Sequence, residues 1–99
     1  PCFVIAVRNE FLAENKSVIA LILEIINATT EEFKHIPSID RTLTSRYGQK
    51  VEDIQQWLSQ TQWSQKNLDE KTVQIVQNQL FELNIISKKV DFNQIVKNI

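Results

Sequence analysis

The chain opens on a solid apolar block and then passes into stretches whose apolar positions recur at helical spacing. Cys2-Phe3-Val4-Ile5-Ala6-Val7 is unbroken apolar sequence, rich in β-branched and aromatic residues, and it stops at Arg8-Asn9. A run without alternation is the pattern of a strand buried on both faces, which predicts a strand over about 2–8. Such a strand needs partners at its edges. The only other strand-like run, Asn84-Ile85-Ile86, is short and sits between helical patterns, so the partners are expected in further chain or in another copy.

Asn9 is placed to cap a short turn over Glu10-Phe11-Leu12-Ala13, and a long helix is predicted from about Lys16 to Lys34. Its middle, Val18 to Ile26, is apolar almost all the way round, the pattern of a helix buried on every side. Ile36-Pro37 ends it, because the residue before proline is pushed out of the helical region. Shorter helices follow. Ser38 is an N-cap candidate for one through Tyr47, with Gly48 as its left-handed stop. A second covers about 51–60 and presents Val51, Ile54, Trp57 and Leu58 on one face. Asp69 caps an amphipathic helix over 70–83, in which Val73, Val76, Leu80 and Leu83 are joined by Phe81, and Asn84 stands where a left-handed residue is expected. Asp91-Phe92-Asn93-Gln94 has the form of a capping box opening a last helix to Asn98. The expected fold is mainly α with one N-terminal β-strand, a single domain or a fragment of one over 1–99.

Composition narrows the function classes. With 99 residues, 42% hydrophobic and 23% charged, the chain has the length and make-up of one domain or a piece of one. A net charge of −1 lacks the cationic excess of a nucleic-acid binder. Cys2 is the only cysteine and cannot form an internal disulfide; His35 is the only histidine, which leaves neither a metal-ligand cluster nor a Ser/His/Asp constellation. Gly48 is the only glycine, so phosphate-cradling loops and dinucleotide fingerprints are excluded as well. No cofactor is implied. The apolar middle of the long helix is about half the length of a bilayer span, and no basic flank marks a signal peptide. The chain contains no methionine and starts at Pro1 directly on the apolar run, a hint that this is not a natural gene start.

The order of marks resembles a known family. The apolar Phe3 to Val7, then Asn9-Glu10-Phe11-Leu12-Ala13-Glu14-Asn15 and the long apolar helix, look like the return segment of type 2 periplasmic binding proteins. Arg46-Tyr47-Gly48, Glu52-Asp53-Ile54 with Trp57-Leu58, Thr61-Gln62-Trp63 and Val76 to Leu83 extend the likeness to the C-terminal part of the nitrate, sulfonate, taurine and thiamine-precursor group. Lys16 departs from a proline common at that helix start, and Asn84 from a glycine; lysine propagates helices and asparagine tolerates the left-handed region. The resemblance implies a fragment of a two-lobed α/β parent that traps a small polar or anionic solute and serves an ABC-type importer. Its partners would be the solute and the importer's membrane subunits, in the periplasm or at the cell surface. The orphan strand would pair in the parent's sheet, and the isolated chain would self-associate through Phe3 to Val7.

Candidate site residues follow with their plainer alternatives beside them. Cys2 is a small buried hydrophobe or, by the resemblance, edges the ligand crevice together with Phe3. Arg46 offers a guanidinium suited to sulfonate, phosphate or carboxylate, against an ordinary surface role beside Asp40, Arg41 and Tyr47. His35 suits the C-terminal end of the long helix. Trp57 belongs to the core by its period, and Trp63 covers the core from a loop. The glycosylation-type patterns at Asn15 and Asn27 are discounted, the second lying inside the predicted helix. No catalytic or metal site is expected. Two other functions compete with solute binding: a self-contained helical interaction module docking a partner helix on the Val73, Val76, Leu80 and Leu83 face, and part of an enzyme on the same scaffold.

Overall fold

Helices follow one another from Asn9 onward in the computed structural model, which describes residues 3–99. They are α1 (Asn9–Glu32), continued by a 3₁₀ turn over Phe33–His35, α2 (Ile39–Tyr47), α3 (Val51–Gln60), α4 (Glu70–Glu82) and the short α5 (Phe92–Ile95). Among the described residues 65% helix and no strand are found, so the expected N-terminal strand and the two-lobed α/β fold are both corrected to a small all-α fold. The reason is pairing. A strand exists only through hydrogen bonds to a neighbouring edge, and no second extended segment meets this one. Phe3, Val4 and Ile5 are instead irregular and 93%, 58% and 53% exposed. Cys2 lies outside the described residues.

The chain divides into two compact units, the first ending at Trp63 and the second covering Ser64–Ile99. In the first unit α1 begins seven residues earlier than the apolar period alone indicates, and it is broken at Asn15, whose φ of −127° and ψ of 29° are not helical. There the Asn15 amide Nδ2 donates to the Phe11 carbonyl at 3.0 Å, closing the short turn before the main helix starts. An asparagine side chain that competes for backbone carbonyls is a known cause of such kinks. Ile36, with φ −63° and ψ 123°, leaves the helical region ahead of Pro37. Ser38 precedes α2 in the left-handed region at φ 58°, and it caps nothing with its side chain, unlike the cap read from the sequence. Gly48 ends α2 at φ 63°, its N–H donating to the Thr44 carbonyl at 2.9 Å.

The α1 expectation of burial on every side is also corrected. Of its residues only Ile19 is buried, while Val18, Leu21, Ile22 and Ile25 lie between 43% and 57% exposed. An apolar helix is sunk into a core only when other layers cover it, and the first unit's remaining helices are short and polar. α2 packs on α3 and on the 3₁₀ turn.

In the second unit α4 is bounded by two well-formed caps. At its start the Asp69 carboxylate accepts from the Thr72 N–H at 2.9 Å and from the Thr72 hydroxyl at 2.6 Å. At its end Asn84 adopts φ 57°, the Ile85 N–H donates to the Leu80 carbonyl at 2.9 Å and the Asn84 N–H to the Phe81 carbonyl at 3.0 Å. Those paired bonds are a Schellman motif. α5 is a single turn, shorter than the helix expected to Asn98, because Val96 turns extended at φ −99° and ψ 127°.

Gly48 gives a clean test of backbone strain. A Cβ at this position meets nothing within 4 Å, so Gly48→Ala loses only what the left-handed conformation costs an L-residue, about 1 kcal/mol. Urea unfolding followed by circular dichroism should show that loss, with Gly48→Asn costing less; an unchanged midpoint for Gly48→Ala overturns the assignment.

Candidate functional site

Of the three residues proposed to hold a ligand, Phe3 and Arg46 are exposed on the surface and Cys2 lies outside the described residues. Phe3 stands in the irregular segment ahead of α1, almost fully in water. Arg46 is exposed in the last turn of α2, with its guanidinium carbon 5.9 Å from the centroid of the neighbouring Tyr47 ring. That is a stacking contact on a surface helix, and among the described residues no hydrogen bond or ring contact joins Arg46 to Phe3. Asp40, on the first turn of α2, accepts from the Gln55 amide of α3 at 2.9 Å and from the Arg41 N–H at 2.9 Å. Gln55 therefore ties α2 to α3 through a neutral donor.

The most organised side-chain cluster is aromatic, and the separate readings of Trp57 and Trp63 did not anticipate it. Trp63 meets Phe33 edge-on at 5.2 Å between centroids and 66° between planes, and meets Trp57 at 6.2 Å and 80°. Lys34 Nζ stands 5.9 Å from the Trp63 ring. Trp63 is half-buried, and Trp57, read as core from its period, is 46% exposed. Edge-to-face packing of this kind brings about 0.5–1.5 kcal/mol per pair beyond area burial. It draws the last turn of α3 to the start of the 3₁₀ turn. The Thr61 N–H and hydroxyl both donate to the Trp57 carbonyl, at 2.9 and 2.7 Å, and so fix where the chain leaves α3 toward Trp63. A signal was present in the sequence: both residues beside Trp63 in this cluster are aromatic residues at helix ends.

In the second unit the side chain of Gln77 behaves like a strand of backbone. Its Nε2 donates to the Val90 carbonyl at 3.0 Å and its Oε1 accepts from the Val90 N–H at 2.9 Å. Lys89 reinforces the attachment, donating to Asn78 Oδ1 at 2.9 Å with its Nζ 5.2 Å from the Phe81 ring centroid. The segment after the Schellman turn is thereby strapped to α4. The face read as a docking surface is divided: Val73 is buried and Leu80 half-buried, while Val76 and Leu83 are 45% and 69% exposed.

Two carboxylates are held below their ordinary pKa. For Asp40 the largest cause is the hydrogen bond from Gln55, followed by that from the Arg41 backbone. For Asp69 it is the Thr72 hydroxyl, followed by the Thr72 N–H. Both groups stabilise local structure as acceptors. Among the described residues no group of three or more His, Cys, Asp or Glu is placed to hold a metal ion, and no helix is long and apolar enough to cross a membrane. Comparison with protein-family models, curated proteins and solved structures finds no match for the chain.

Two measurements probe these contacts. Gln77→Leu keeps the size of the side chain but removes both hydrogen bonds, so amide exchange at Val90 should accelerate at least tenfold while α4 amides change little; protection retained at Val90 sinks the strap. Because the folded pKa of Asp40 and Asp69 lies below the unfolded one, their stabilisation is complete above the unfolded value and is lost as pH falls through the folded value. The acid limb of a stability profile should therefore flatten in the Asp40→Asn, Asp69→Asn double variant. An acid limb identical to that of the parent chain contradicts the assignment.

Proposed function

We propose that the chain works by binding rather than by catalysis, as a helical part of a solute-binding protein that supplies a small polar or anionic solute to an importer. In this proposal another part of that protein covers the apolar face of α1. The observation that carries it is the exposure of Val18, Leu21, Ile22 and Ile25, one contiguous face left half in water. Contiguous apolar patches of this kind on soluble proteins mark interaction surfaces. The solute-binding side of the proposal is supported by the order of residue marks on α2, α3 and α4; the strand and the sheet expected from the same resemblance form no part of it. Phe3 and Arg46 are joined by no hydrogen bond or ring contact among the described residues, and Cys2 lies outside them, so in this proposal selectivity resides in groups of the parent protein outside residues 1–99.

A second reading, the helical interaction module, is favoured by the exposure of Val76, Phe81 and Leu83 at 45%, 43% and 69%. It differs from the first in which face is used. Dye binding distinguishes them, because anilinonaphthalene sulfonate fluoresces on exposed apolar surface. The chain is expected to enhance the dye and to sediment as a dimer or larger species, and Leu21→Glu with Ile25→Glu should remove most of the enhancement with helicity retained. If instead Val76→Glu with Leu83→Glu removes it and the α1 variant does not, the module reading replaces the first.

Calorimetric titration of the chain with nitrate and with taurine should show no saturable heat. One-to-one binding by the chain alone would overturn the placement of selectivity elsewhere. The gene upstream of Pro1 tests the parent directly: coding sequence for further strands and helices supports the solute-binding reading, and a start codon immediately before Pro1 removes it while leaving association through α1 standing.

A further inference from the structure

No further inference is drawn: the strongest candidate, the exposed apolar face of α1 formed by Val18, Leu21, Ile22 and Ile25, already belongs to the proposed association, and nothing in the structure shows what covers it.

Discussion

The constraint that stands out in the first unit is the apolar face of α1, which the described residues leave half in water. Fully burying a valine, leucine or isoleucine side chain is worth about 1.5–3 kcal/mol, and four such residues here stand roughly half in water. Covering them would add about 4 kcal/mol, a large share of the 5–15 kcal/mol by which a typical domain is stable. The exposed Val76, Phe81, Leu83 and Ile85 of the second unit offer a term of similar size. Ile19 and Val73 are the buried apolar residues among those described, one on α1 and one on α4. The apolar content of the chain is ordinary for a globular protein, yet little of it is used internally.

What holds the helices in place is mostly local and polar. The Asp69 cap, the Schellman turn after Leu83, the Gln77 strap and the Asp40 to Gln55 bond each satisfy groups that would otherwise bond to water. Hydrogen bonds of this class contribute only about 0.5–1.5 kcal/mol each, because folding exchanges them for bonds to solvent. They choose where helices begin and end. They do not supply the apolar burial that offsets the entropy of ordering a chain. The aromatic cluster of Phe33, Trp57 and Trp63 comes nearest to a core in the first unit, and even there Trp57 stays half exposed.

The division between local and long-range terms also explains what could be read in advance. Gly48, Asp69 and Asn84 take the capping roles their residue types suggest, because a cap is decided within four or five residues. The kink at Asn15 was legible as a separate turn ahead of the long helix, and the non-helical φ and ψ of Asn15 divide the helical stretch there. Phe3 to Val7 misled for the opposite reason. Its residue types say only that the segment favours an extended, buried place; whether a strand forms is decided by a partner edge that local sequence does not contain. Ser38 failed as a side-chain cap because the turn at Pro37 puts its backbone in the left-handed region. Of the candidate site, single residues were legible and their assembly was not: Arg46 stacks on Tyr47, and Phe3 stands almost fully in water.

The same physics bears on function. A catalytic site needs reacting groups held in a pocket from which water is excluded, and that pocket requires walls. Here the side chains able to make walls, Val18, Leu21, Ile22 and Ile25 on α1, face outward, and the polar groups with fixed geometry are engaged in caps and straps. Covering α1 would supply burial, and it would also exclude water from the surface beside it. The segment Phe3 to Ile5, separated from α1 by three residues, likewise leaves its apolar side chains in water.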